Sequence, residues 1–296
     1  MAAEHVSFPV AASFLPCPPP GIYPNVPFGT YTAWNAMNHS TLRRVKQSPA
    51  HFKYHRDHRT DNQTTSKRRG TAAHELLLEP DKFEKRVMLG PINPKTGACY
   101  GDGTKAWDEF AAANPGRIIL TEEEIDSLRS MVEAANKHED LGPLLAAPGE
   151  SEVCIVWDCP ITGLRCKARI DRRVRTSAGG VSIDLKTCES ADDVSLSKSL
   201  VAYGYGTQDA FYSRGRKALG LDDVSVFAAI ESERPHGIRV YRVGGESRRL
   251  FDQMVIEWLS RVAHCQKTGE WPGYDTGVID VEPPTWFFKQ FSDFEN

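Results

Sequence analysis

The sequence predicts an α/β (α+β) fold, with one central mixed sheet flanked by helices. Two observations predict it. From Glu152 onward the apolar residues recur with a period of two, which puts alternate residues on opposite strand faces, whereas the flanking stretches recur at helical spacing. Helices before, within and after a mostly consecutive set of strands describe a layered domain built on one sheet. The 296 residues, 40% hydrophobic and 25% charged, are enough to bury a large core and exclude a disordered or fibrous chain.

The chain opens with a stretch unlike the rest. Between Val6 and Leu42 there is no Asp, Glu, Lys or Arg, but seven prolines interrupt the segment and no basic run precedes it. The expectation is that it neither spans a membrane nor targets one. Residues 1–20 are expected to form a flexible Pro-rich arm, and residues 21–296 the folded domain. Thr41 to Lys46 and Pro49 to His55 read as short helical pieces broken at Ser48-Pro49, because proline disfavours helix in the residue before it. Arg69 to Glu79 reads as a helix that sets His74 on the side of Leu77 and Leu78, and Pro80 ends it.

Gly90 to Gly103 reads as a loop, and Lys105 to Ala113 as a short helix stopped by Asn114-Pro-Gly116. Thr121-Glu-Glu-Glu124 is a capping box opening a helix with Ile125, Leu128, Val132 and Ala135 on one stripe. Cys154 to Trp157, Leu164 to Val174 and Val181 to Lys186 are strand candidates, the last two joined as a hairpin through Ser177 to Gly180. Tyr203 to Leu219 is helical in pattern, and Val224 to Ile230 and Ile238 to Val243 are strands. Glu246 to Lys267 is a long helix closed by Gly269.

The chemistry gathers on the hairpin. Arg165, Lys167, Arg169 and Asp171 share one strand face, as do Asp184 and Lys186 on the next strand, and a short hairpin lets Asp171 and Asp184 meet. Two carboxylates in reach repel each other unless a cation lies between them, and oxygen ligands suit Mg²⁺ or Mn²⁺. A lysine beside such a site can hold the water that attacks phosphorus. This is the D…(D/E)-x-K arrangement of the PD-(D/E)XK nuclease superfamily, although D-x-K alone fits a structural ion pair equally well.

Longer motifs surround it. Gly70-Thr-Ala-Ala-His-Glu-Leu-Leu-Leu-Glu-Pro80, Glu152, Thr162 to Asp171, Ile183-Asp-Leu-Lys-Thr187 and Tyr205-x-x-Gln208-Asp-Ala-Phe-Tyr212 stand in the order of the RecE exonuclease (exonuclease VIII) family. The chain resembles that family from about Gly21 to Phe288, including Ser48-Pro-Ala-x-Phe52 and Glu270-Trp-Pro272. The resemblance implies a RecB-like nuclease core and a 5′→3′ exonuclease on linear double-stranded DNA. It implies a 3′ single strand handed to a RecT-like annealing protein in recombination, a homo-oligomeric ring (trimer or tetramer) around the duplex, and a phage or prophage setting. By position, His74, Asp171, Asp184 and the backbone carbonyl of Leu185 would bind Mg²⁺ or Mn²⁺, and Lys186 would be the catalytic lysine. Gln208 and Tyr212 match a Q-x-x-x-Y element that supports the lysine and the scissile phosphate, and Glu152 matches an acidic residue at the first core strand.

Each residue also has a plainer reading: His74 as a core histidine, Glu152 as a solvated charge, Gln208 and Tyr212 as packing, Asp171 as half of a surface pair. Two other functions fit the same core: a structure-specific or restriction-type endonuclease, and a non-catalytic DNA-binding recombination scaffold.

Charge distribution points to the partner. The formal net charge is −3, but residues 43–69 carry nine basic and two acidic side chains and residues 163–175 six basic and one acidic. Arg68, Arg69, Arg165, Lys167 and Arg169 are therefore the expected DNA-binding residues, contacting the duplex backbone with little base preference. The seven cysteines form no C-x-x-C pair and read as reduced thiols, so the expected compartment is the cytoplasm.

Overall fold

The computed structural model describes residues 14–58 and 64–289. In chain order the elements begin with β1 (Gly21–Tyr23), α1 (Phe28–Ala33), α2 (His39–Leu42), a 3₁₀ turn (Arg43–Lys46), α3 (Pro49–Asp57), α4 (Thr65–Leu78), α5 (Pro80–Arg86) and β2 (Val87–Leu89). They continue with α6 (Lys105–Ala113), β3 (Ile118–Leu120), α7 (Glu122–Lys137), α8 (Leu141–Ala146), β4 (Gly149–Asp158), β5 (Arg165–Thr176) and β6 (Gly179–Cys188). The last are α9 (Asp193–Ala202), α10 (Tyr205–Ala218), β7 (Val224–Glu231), β8 (Ile238–Tyr241), α11 (Gly245–Thr268) and α12 (Thr285–Lys289). Among the described residues no helix is long and apolar enough to cross a membrane.

The central sheet has six strands in the order β1-β4-β5-β6-β7-β8, antiparallel except for the parallel β6–β7 pair. The expected mixed sheet flanked by helices is what the chain forms. On one face Ile155, Trp157, Ala168 and Ile170 pack with Ala210 and Phe211 of α10, Val255 and Leu259 of α11 and Phe52 of α3. On the other, Ile183 and Leu185 of β6 and Val226 and Ala228 of β7 pack with Ala72 and Ala73 of α4 and Leu128 and Met131 of α7. Strand alternation sends the two sets to opposite sides.

Local sequence sets the helix ends. The Thr121 hydroxyl accepts from the Glu124 amide while the Glu124 carboxylate accepts from the Thr121 amide, the reciprocal capping box the sequence predicts. Ser48 caps α3 by accepting from the His51 amide, which is why Ser48-Pro49 separates two helical pieces. α10 seats closely because two glycines face bulky neighbours. A Cβ at Gly206 would stand 2.1 Å from the Phe251 ring, and one at Gly215 would stand 2.7 Å from the Trp157 ring.

The N-terminal stretch is more ordered than a free arm over the part described. Leu15 exchanges backbone hydrogen bonds with Ala33 and Asn35, and the Pro18 carbonyl accepts from Arg165. Residues 1–13 of the expected arm lie outside the described residues. β1, the small parallel β2–β3 sheet, α5, α8 and α9 are elements that periodicity did not announce, most of them too short to show a repeat.

Candidate active site

The site lies where the β5–β6 hairpin opens. Its ladder runs from Thr176↔Gly179 to Arg172↔Ile183, and beyond that pair the two strands part. Asp171 and Asp184 are the next residues on each side of this fork. The Asp171 carboxylate occupies the gap by accepting the Leu185 N–H at 2.8 Å. In a strand a residue's N–H and C=O project to the same edge, so the Leu185 carbonyl faces the fork as well.

Neighbouring elements add ligands. On β4 the ladder to β5 skips Glu152, whose φ of 57° is left-handed, so the strand turns locally beside Asp171. From α4, His74 brings Nδ1 to 3.8 Å from Asp171 Oδ2. Side-chain ligand atoms of His74, Glu152 and Asp171 all lie within 4.8 Å of one another.

Asp184 is held from two sides. Gln208 of α10 donates to Oδ2, and the Lys186 ammonium stands against Oδ1. The Lys186 ammonium also lies over the Tyr205 ring, 4.9 Å from its centroid.

Electrostatics follow from this crowding. Burial and the neighbouring Asp184 charge push the Asp171 carboxyl up to about 7. At Lys186 burial works against the charge, but the Asp184 and Asp171 carboxylates outweigh it and raise the ammonium above its usual value. The lysine is thus a cation and a hydrogen-bond donor at neutral pH, not a base. The donor set, the His74 imidazole with the Glu152 and Asp171 carboxylates and the Asp184 charge beside them, fits a divalent cation.

The structure brings together His74, Glu152, Asp171, Asp184, Leu185, Lys186 and Gln208. Gln208 grips Asp184, the carboxylate that Lys186 also meets. Tyr212 packs against the core beside the site, with burial raising its hydroxyl well above the ordinary range and the Asp184 and Asp171 charges and the Arg169 backbone nearby.

The expected basic row is corrected at Lys167. Lys167 is fully buried, and its ammonium donates to the carbonyls of Tyr31, Thr32 and Trp34 at 2.6–3.0 Å. Arg169, almost as buried, pairs with Glu152 and donates to the Val26 carbonyl. Arg165 pairs with Asp158, Arg68 with Asp102 and Glu124, and Arg69 with Glu124. Lys167 has no path to a duplex, and the other four are committed to carboxylates of this chain. Arg165, Lys167 and Arg169 share a strand face with Asp171 as expected, but α1 and the segment before it cover that row.

Sequence reasoning gave Tyr205 no role beyond its place in a motif. The available signal was its spacing, since a residue three before Gln208 lies on the same helix face. His39 was also missed. Its Nε2 meets the Thr207 hydroxyl at 2.9 Å, and burial, with Arg43 and Lys186 nearby, lowers it to about 3, so it lines the lysine's surroundings as a neutral ring.

Residues 38–282 match the family described as a PDDEXK-like domain of unknown function (DUF3799). The chain belongs to that family. A crystal structure described as a "Putative exonuclease" from Eubacterium rectale is similar over 87% of this chain and 93% of that one, at 14% identity and a TM-score of 0.52. At that identity the likeness is one of fold. The crystal structure of SSO0001 aligns over 38% of this chain and 50% of that one, at 14% identity and a TM-score of 0.26, and carries no argument. No curated protein matches. Family and fold together support a nuclease.

Proposed function

We propose that this protein is a metal-dependent 5′→3′ exonuclease that degrades one strand of linear double-stranded DNA and leaves a 3′ single strand. The observation that carries the reading is the joint placement of Asp171, Asp184 and Lys186 at the strand fork with His74 and Glu152 beside them. The exonuclease description of the structural relative agrees with it, and so does the motif order shared with the RecE family. Mg²⁺, or Mn²⁺ given the imidazole, is the cofactor proposed. The setting proposed is cytoplasmic recombination, in a homo-oligomeric ring that supplies a RecT-like annealing protein.

When bound, a divalent cation supplies Lewis acidity and lowers the pKa of a water. The chain's own residues do the rest. His74, Glu152, Asp171, Asp184 and the Leu185 carbonyl would hold that cation. Lys186, kept protonated by its two carboxylate neighbours, donates to the attacking oxygen and offsets negative charge growing on the phosphoryl group. Gln208 fixes the orientation of Asp184, and the Tyr205 face holds the ammonium from beneath.

The deciding experiment digests linear duplex labelled separately at each terminus, alongside a covalently closed circle, with Mg²⁺ or Mn²⁺. Release from 5′ ends and an intact circle are expected, with Lys186→Ala and Asp184→Ala folded but inactive. A cut circle would establish the endonuclease reading instead. Wild-type rates in either variant would remove the catalytic assignment.

A further inference from the structure

A second polar cleft lies away from the strand fork. It is formed by the last turn of α10, the start of β7 and the N-terminus of α11, with a volume of about 740 Å³. Arg216, Lys217, Arg242 and Arg248 line it, with Asp222 and Asp223. Asp223 is already engaged by Arg173 and by the Ser182 hydroxyl.

Arg216 is the unusual residue. Its side chain is only 4% exposed and lines the cleft, and its ion pair among the described residues, to Asp209 Oδ1, is 3.8 Å long. Arg248 approaches the other oxygen of the same carboxylate at 3.3 Å, and among the described residues neither Asp209 oxygen nor Arg248 Nε has a hydrogen-bond partner. One buried carboxylate is therefore shared by two guanidiniums, with good geometry for neither. Burying charge without hydrogen bonds is costly, so an acceptor that completes the set is favoured.

The helix supplies independent donors. α11 is 24 residues long, and no side chain caps its first turn. A Cβ at Gly244 or Gly245 would meet nothing within 4 Å, so the backbone there is open to a ligand. Free first-turn amides and the helix dipole favour an anion. Glu246, in the same turn, does not line the cleft. Lys217 and Arg242 have no ion pair among the described residues.

We infer that this cleft binds a phosphoryl group through Arg216, Arg248, Arg242 and the N-terminus of α11. The group comes either from a free nucleotide or from a nucleic-acid backbone. The cleft's volume is in the range of small-ligand sites.

The test is titration calorimetry on the full chain in a chelator, so that no divalent cation contributes at the strand fork. The probes are inorganic phosphate, a deoxynucleoside 5′-monophosphate and a 12-nucleotide single strand. Saturable phosphate binding is expected, weakened about tenfold or more by the double variant Arg242→Gln with Arg248→Gln, since each charge-assisted contact is worth about that factor. Arg216→Gln leaves Asp209 short of a cation inside the protein, so the double variant, checked by circular dichroism, carries the test. Tighter binding of the mononucleotide with no gain from the 12-mer identifies a free nucleotide. A gain with length and a steep salt dependence identify a strand. Absence of saturable phosphate binding, or equal binding by the double variant, overturns the inference. Nuclease activity is read separately, so its failure would leave this result standing.

Discussion

Asp171 titrates near 4 in an unfolded chain but near 7 here, because it is buried beside Asp184. Folding thus raises its proton affinity. The stability this contributes is fully present below about pH 4 and is lost as pH climbs through about 7. In a chelator, the melting temperature of the wild type is expected to fall over that window relative to Asp184→Asn, in which the like charge is gone. Parallel pH profiles for the two proteins would refute the coupling. Lys167 makes the opposite kind of prediction. Lys167→Met leaves the carbonyls of Tyr31, Thr32 and Trp34 without their donor and should cost about 2–4 kcal/mol in urea unfolding, with duplex affinity unchanged. Alternation placed Lys167 on the face of Asp171 correctly; what it could not show is that α1 would come back to cover that face, a contact 133–136 residues apart in sequence.

Among the elements, α10 bears most directly on the site, since it presents Tyr205 and Gln208 while its glycines admit Phe251 and Trp157. Gly206→Ala would press a methyl to 2.1 Å from the Phe251 ring. Overpacking costs about 1–3 kcal/mol and outweighs the roughly 1 kcal/mol that alanine gains in a helix. Gly29→Ala in α1, where a Cβ meets nothing within 4 Å, should show only the gain. Denaturant midpoints of the two variants moving in opposite directions is the expected result. α7 was legible because it is long, periodic and capped by Thr121, and α3 because Ser48-Pro49 marks its start. β1, β2 and β3 have three residues each, too few for a period, and their existence depends on partners distant in the chain.

Over the whole molecule, the hairpin residues Asp171, Asp184 and Lys186 were legible because pairing two adjacent strands is a local matter. The surroundings were not. Charge summed by segment suggested a basic surface, yet Arg165, Arg169 and Arg173 each found a carboxylate of their own chain. Residues 14–20 are a similar case. Because Leu15 and Pro18 bond to the body, and Phe14 lies under Arg56, a chain begun at Gly21 is expected to melt several degrees below one begun at Phe14. Equal melting temperatures would make residues 14–20 dispensable. The fork in the sheet has a mechanical consequence. β1, β4 and β5 are tied to β6, β7 and β8 through a ladder of five residue pairs, while the ligand residues come from both sides of the opening and from α4. A cation held there would act as a clasp across the seam, stiffening two halves that the backbone alone leaves free to spread.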